Sequence, residues 1–257
     1  MNVKAKKHLG QHFLTDENIA KKIVEGLDFQ SYQYVLEVGP GTGVLTKYLL
    51  EKPTETYVAE IDTESIEYLK LHFQKLENKH FTGDFLKINL NDIFSGEVAI
   101  IGNFPYNISS QILFKIIENY QQIPEMVGMF QKEVAERTAA VPRTKDYGIL
   151  SVLVQAYYDV KYLFTVHENV FNPPPKVKSG VIKLTRNRKE GLEGNEILFK
   201  QIVKTGFGQR RKKLSNALKS LDIPEVLKSH AFMDKRAEEL SVEDFINFTQ
   251  EWKAAKN

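Results

Sequence analysis

The sequence predicts an α/β protein, a doubly wound sheet over residues 1–187 followed by a small all-helical domain over 188–257. Three observations carry this expectation. Short β-branched runs alternate with amphipathic segments through the first two thirds, as βαβ units require. A polar stretch over 186–195 with two glycines then breaks the pattern and reads as a linker. Beyond it no strand signal recurs, and apolar residues fall at helical spacing.

Taken in order, the runs rich in Val, Ile, Tyr and Phe place strands over 34–38, 56–60, 98–101, 126–130, 162–166 and 180–184. Amphipathic spacing places helices over 108–120 and 150–158, and after the linker over 196–204, 209–221 and 242–253. Ser241, followed three residues later by Asp244, supplies an N-cap for the last of these.

A chain of 257 residues with 42% hydrophobic content can bury one full core and a smaller second one. The absence of cysteine excludes a disulfide framework and a thiolate zinc site, and it fits a reducing compartment. The six histidines are scattered without ligand spacing, so no metal site is expected. No apolar run approaches the ~18 residues of a membrane span. The lysine-rich start, Lys4 to Lys7, lacks the apolar segment of a secretory signal. A cytoplasmic location, no membrane contact and a monomeric state are expected.

Charge is segregated along the chain. Residues 1–14 hold three lysines and no acid, residues 161–189 hold seven Lys or Arg against Glu168 alone, and residues 204–219 hold six with no acid. With a formal charge of only +2, the remainder is strongly acidic. Basic runs set against an acidic remainder suit a phosphate-backbone binder, although any single run also reads as a solvated face.

The most informative stretch is Asn103-Phe104-Pro105-Tyr106, directly after the apolar run ending at Ile101-Gly102. An amide, a backbone carbonyl beside a ring of fixed φ, and an aromatic face together suit holding a planar amine for alkylation. The tetrad is similar to the Asn/Asp-Pro-Pro-Tyr-like signature of methyltransferases that act on exocyclic amines. Asn and Pro are also ordinary turn residues.

A second signal, Val38-Gly39-Pro40-Gly41-Thr42-Gly43, falls where the first strand meets the first helix. A dinucleotide fingerprint wants Gly-x-Gly-x-x-Gly, but here Val44 occupies the third glycine position, so the pattern is closer to an S-adenosylmethionine loop. Gly39, Glu60, Asp84 and Asn103 are spaced by 21, 24 and 19 residues, each about one βα unit. That register gathers them at the carboxyl edge of the sheet, where open α/β folds bind ligands. There Glu60 can take both ribose hydroxyls and Asp84 can accept from a cofactor's adenine amine. Each acid alone also reads as a helix cap or a surface acid.

Together with these signals, further segments resemble the ribosomal RNA adenine dimethyltransferases, the KsgA family of bacteria, over nearly the whole chain. They are residues 6–14 (Lys-Lys-His-Leu-Gly-Gln-His-Phe-Leu), 131–137, 147–151, 171–179 (Phe-Asn-Pro-Pro-Pro-Lys-Val-Lys-Ser) and 207–213 (Phe-Gly-Gln-Arg-Arg-Lys-Lys). The resemblance implies a Rossmann-like S-adenosylmethionine-dependent methyltransferase domain with a helical C-terminal domain. It also implies transfer of two methyl groups to each of two adjacent adenosines near the 3′ end of small-subunit rRNA, in an assembling ribosomal subunit.

The resemblance assigns cofactor contacts to His12, Leu14, Gly39, Glu60, Asp84 and Asn103, and the glycine loop adds Gly41 and Gly43 as expected cofactor contacts. The resemblance gives target-base roles to Asn103, Phe104, Pro105, Tyr106 and Phe171, with Tyr106 stacking on a flipped adenine and Phe171 closing its other face. The other fate of these two aromatics is core packing. Lys6, Lys7, Arg210, Arg211, Lys212 and Lys213 would grip rRNA phosphates. Two positions depart from the family pattern: His12 stands where Asn is common, and Phe104 where Leu is usual. No residue presents itself as a general base. Three other readings remain: a related large-subunit rRNA methyltransferase conferring macrolide resistance, a noncatalytic small-subunit assembly factor, and an NAD-dependent oxidoreductase, which Val44 disfavours.

Overall fold

Runs of Val, Ile and Leu without polar alternation suit strands covered on both faces. The computed structural model, which describes residues 3–256, builds one mixed six-stranded sheet from such runs. The chain opens with β1 (Phe13–Leu14), α1 (Glu17–Val24), β2 (Tyr34–Val38), α2 (Thr46–Leu49), β3 (Glu55–Ala59) and α3 (Thr63–His72). It continues through β4 (Val98–Asn103), α4 (Ser109–Glu118), β5 (Glu125–Gln131), α5 (Lys132–Ala139), α6 (Ile149–Gln155), β6 (Tyr158–Val166), β7 (Phe171–Asn172) and β8 (Ser179–Arg186). It ends in α7 (Glu196–Gly208), α8 (Leu214–Ala217) and α9 (Val242–Ala254).

The sheet order is β3-β2-β4-β5-β8-β6. β2 runs parallel to both β3 and β4, and β4 parallel to β5, while β8 is antiparallel to β5. Because β3 and β4 flank β2 on opposite sides, the winding reverses there and opens a crevice at the carboxyl ends of β2 and β4. β1 and β7 make a separate antiparallel ribbon with Leu14 opposite Phe171.

By contacts the chain divides into two units, residues 1–135 with 159–186 and residues 136–158 with 187–257. The stretch 136–158, expected in the first domain, therefore belongs to the second unit. In the first unit, α1 is capped by Asp16, whose Oδ1 accepts the N–H of Asn18 (2.8 Å) and Ile19 (3.0 Å). Its Ala20, Ile23 and Val24 pack with Val35, Ala99, Ile101 and Val127 of the sheet. In the second unit, Phe199, Ile202, Val203, Phe207, Phe245, Phe248 and Trp252 are buried. The expected Ser241–Asp244 cap is present as a reciprocal pair, at 3.1 and 2.8 Å.

Three departures from expectation have a visible cause or bear on the domain boundary. The helix expected to reach residue 158 ends at Gln155, and Tyr158 already begins β6. β8 runs through Arg186, whose guanidinium binds Glu97 (2.6 Å) and the carbonyls of Tyr120 and Gln121, so the linker shortens to 187–195. The helix expected over 209–221 shrinks to α8. There Lys213 is extended and bridges to Arg236, and the Leu214 N–H bonds the Lys235 carbonyl (2.8 Å), so a tertiary contact overrides helix propensity.

Candidate active site

The strand register brings the spaced residues together as the βα periodicity requires. Val38 lies opposite Ala59, and the Gly39 N–H bonds the Ala59 carbonyl (2.9 Å). Phe81 bridges to Val58 and carries Gly83 and Asp84 to the same edge. A cleft of about 900 Å³, its open mouth included, is lined there by Gly39, Gly41, Glu60, Asp84 and the whole Asn103–Tyr106 tetrad. The N-terminal segment from His8 to Phe13 forms another wall.

The glycines divide by role. Gly39 adopts φ +70°, and a Cβ there would meet nothing nearer than 3.9 Å, so its missing side chain leaves the cleft open. A Cβ on Gly41 would lie 2.7 Å from the Phe13 ring, and one on Gly43 2.4 Å from the Phe73 ring. Gly43, at φ +82°, is small to let Phe73 pack, and the residues lining the cleft include Gly39 and Gly41 of this turn.

Glu60 is 7% exposed and folds over the turn. Its Oε1 accepts the N–H groups of Ile61 (2.8 Å) and Asp62 (2.9 Å), and its Oε2 accepts that of Gly41 (3.3 Å). Burial raises its pKa above the ordinary carboxylate value, against the pull of those N–H groups. Asp84 combines both readings left open by the sequence. It lines the cleft while its Oδ1 accepts the Leu86 N–H (3.0 Å) and its Oδ2 lies 3.4 Å from Lys87.

In the tetrad, the Asn103 Nδ2 donates to the His12 carbonyl at 2.8 Å. That bond fixes the amide plane and leaves Oδ1 as the acceptor. Pro105 sets the turn and has no N–H of its own. Phe104 is 1% exposed, with its ring against Phe130 at 4.9 Å. The ring fits because Gly102 and Gly128, paired across β4 and β5, carry no side chains; a Cβ on Gly128 would lie 2.1 Å from it. The local sequence thus accommodates Phe where Leu is usual.

His12 lines the cleft, its ring 5.5 Å from that of Tyr106. Its Nδ1 lies 2.8 Å from the Pro173 carbonyl. A carbonyl can only accept, so Nδ1 carries the proton and Nε2 presents a lone pair in the neutral ring. The Tyr106 hydroxyl shares a 2.6 Å hydrogen bond with Ser179 Oγ, and burial raises its pKa.

Two expected contacts lie elsewhere. Phe171 is 4% exposed and packs in the core with Leu14, so its ring does not line the cleft. Ribbon pairing of β1 with β7 buries both side chains. Leu14 instead borders a smaller recess of about 270 Å³, with Glu37, Gly39 and Asn103.

The basic residues divide into paired and exposed groups. The Lys6 ammonium is paired with Asp62 and lies 3.2 Å from Glu64, which ties the N-terminal wall to the loop after Glu60. Gln11 reinforces this, donating to Asp62 at 3.3 Å. Arg210 is bound by Glu238 and by the Thr144 carbonyl (3.1 Å), and Lys213 by Asp234 (2.9 Å). Lys7, Arg211 and Lys212 are exposed, the last two on a turn between α7 and α8 rather than on a helix. In the 161–189 run, Lys183, Arg186 and Arg188 are engaged by Glu125, Glu97 and Glu243.

Sequence reasoning missed Glu37, Ile61 and Ser179. Ile61 stands 55% exposed on the cleft wall directly after Glu60. Glu37 is buried in β2, accepts from the Thr46 hydroxyl (2.6 Å), and has its pKa pushed up to about 8 by burial. A charged residue inside an apolar strand was its available signal. Among the described residues, no group of three or more His, Asp or Glu is placed to hold a metal ion, and no helix is long and apolar enough to cross a membrane.

Comparison with known proteins accords with this geometry. Residues 2–254 match the ribosomal RNA adenine dimethylase family. Ribosomal RNA small subunit methyltransferase A of Flavobacterium johnsoniae is 59% identical over 253 residues, covering 98% of this chain and 97% of the relative. Its namesake in Cytophaga hutchinsonii is 58% identical over 249 residues, 96% of each. Among solved structures, a dimethyladenosine transferase from Plasmodium falciparum aligns with a TM-score of 0.83 at 26% identity, covering 95% of this chain and 98% of that one. The 23S rRNA methyltransferase ErmE aligns at 0.68 and 25% identity, covering 94% and 99%.

Proposed function

We infer the reaction from one premise: this chain belongs to the ribosomal RNA adenine dimethylase family. It is an rRNA adenine dimethyltransferase with a Rossmann-like fold. In our reading its substrate is small-subunit rRNA in an assembling particle, where it places two methyl groups on each of two adjacent adenosines near the 3′ end. The relatives at 58–59% identity, named for the small subunit, favour this over the large-subunit alternative, represented by ErmE at 25%.

The methyl donor we assign is S-adenosylmethionine, and the donor set fits it: an open glycine turn, Glu60 for ribose hydroxyls, Asp84 for an adenine amine and apolar Ile61 on the wall. When bound, it supplies an electrophilic methyl group on a sulfonium. The chain's own part is positioning. The single observation that carries the reading is the Asn103 Nδ2 bond to the His12 carbonyl. It leaves Asn103 Oδ1, beside the Phe104 carbonyl, to accept the two N–H bonds of an adenine amine. Drawing those protons into hydrogen bonds pulls the nitrogen toward tetrahedral geometry and localises its lone pair, so alignment replaces a strong base; as the N–C bond forms the S–C bond would break to leave a thioether, and the cationic amine would lose its acidic proton to solvent, the second transfer using the one N–H that remains. Tyr106 offers the face on which the flipped base stacks, a contact worth about 1–3 kcal/mol. Lys7, Arg211 and Lys212 hold phosphates, acting by charge rather than by reading sequence. The chain works as a monomer.

The test is product analysis. Small subunits lacking the modification, incubated with the protein and S-adenosylmethionine, are digested, and their nucleosides are identified by mass spectrometry. N6,N6-dimethyladenosine mapped to two neighbouring positions near the 3′ end is expected. Monomethyladenosine alone, or methylation elsewhere, contradicts the reading.

A further inference from the structure

Tyr106 is held at both ends. At its backbone, Pro105 fixes the preceding turn, and the Ser109 hydroxyl bonds the carbonyls of Pro105 (3.3 Å) and Tyr106 (3.0 Å). At its tip, the phenol shares the 2.6 Å hydrogen bond with Ser179. Ser179 is 0% exposed and is the first residue of β8, opposite Gln131 of β5. It has little freedom to move: at the next position, a Cβ on Gly180 would lie 2.7 Å from Ala135 Cβ and 2.9 Å from the Tyr162 ring. A ring pinned at its backbone and at its hydroxyl has one orientation, and Tyr106 lines the cleft.

We propose that Ser179 is a positioning residue for the target base: its buried hydroxyl fixes the Tyr106 ring, so that the flipped adenine stacks where the Asn103 amide can take its amine. The inference rests on the reading of Tyr106 as the stacking face. Ser179 touches neither cofactor nor base and acts only through Tyr106. Hydrophobic packing alone does not require a hydroxyl there. A partly buried phenol bonded to a rigid strand is a device for orientation, because geometry within a fraction of an ångström sets the rate of a displacement without a general base.

The experiment is a double-mutant cycle on the full-length protein with small subunits as substrate. Ser179→Ala and Tyr106→Phe are each expected to lower kcat roughly tenfold, with S-adenosylmethionine affinity unchanged. The double variant should lose no more than either single one, since both break the same bond. Ser179→Cys, which keeps a weak hydrogen-bonding group of similar size, should recover part of the loss. With 2-aminopurine at the target position, fluorescence quenching by stacking should be strong in the wild type and weakened in Ser179→Ala. Additive losses in the double variant, a fall in cofactor affinity, or quenching unchanged in Ser179→Ala would each overturn the inference. Tyr106→Ala separates the two levels: full activity in that variant would sink the stacking reading itself, whereas its inactivity with an indifferent Ser179→Ala sinks only the role of Ser179.

Discussion

In the function we propose, a single amide carries the most chemistry in this chain. Asn103 has one donor group committed to the His12 carbonyl, which determines where its oxygen points. Asn103→Asp replaces the donor with an oxygen that repels that carbonyl, and should lower kcat by about 10²–10³, the loss typical of one preorganised polar contact in a site, while the melting temperature changes little. Steady-state kinetics beside thermal denaturation checks this. Glu37 gives a second prediction. Its folded carboxyl stays protonated to about pH 8, whereas the unfolded one ionises near 4.5. The folded form therefore binds the extra proton between those values, and its contribution to stability is fully present below the lower pH. It declines by about 1.4 kcal/mol per unit as pH rises toward the upper one. Glu37→Gln keeps an acceptor for Thr46 and should flatten stability measured across pH 5–8; an unchanged slope would exclude Glu37 as its source. At this scale, Gly39, Glu60, Asp84 and Asn103 were legible because one βα unit has a nearly constant length. Phe171, Ser179 and Glu37 were not, since their roles depend on which side chains the sheet buries and which it leaves open.

Elements place these residues, and two of them make separate predictions. In β4 and β5 the paired glycines Gly102 and Gly128 provide the groove for the Phe104 ring. Gly128→Ala should destabilise the protein by about 1–3 kcal/mol through overpacking and should displace the tetrad; denaturant unfolding together with kcat reads both effects. A smaller residue at 104, as in Phe104→Leu in the Gly128→Ala background, should restore much of the stability. The basic turn before α8 separates two kinds of cation. Arg211→Glu with Lys212→Glu should weaken RNA binding and reduce its salt slope by about 2, one per lost phosphate contact. Arg210→Ala should instead lower the melting temperature, because Arg210 is engaged with Glu238 and the Thr144 carbonyl. Filter binding over a salt series distinguishes them; an equal salt effect from Arg210→Ala would contradict the division. The sequence could not separate these cations, because a run of Arg and Lys looks alike whether its members face solvent or meet an acid far away in the chain. It also could not foresee that Lys213 would bridge to Arg236 and the Leu214 N–H bond the Lys235 carbonyl, so that the helix begins only at Leu214.

At the scale of the whole molecule, the α/β sheet and the helical end were legible from alternation and its loss, since burial on two faces and helical spacing leave different marks on a sequence. The exchange of residues 136–158 into the second unit was not, because it depends on contacts between distant segments. We propose that this chain dimethylates adenine in small-subunit rRNA with the Asn103 clamp. The most direct test is methyl transfer from labelled S-adenosylmethionine to unmodified small subunits, with large subunits and the Asn103→Ala protein alongside. Dimethyladenosine is expected in small-subunit rRNA alone and lost with Asn103→Ala; label in the large subunit, or undiminished transfer by the variant, rules out the Asn103 clamp on small-subunit rRNA.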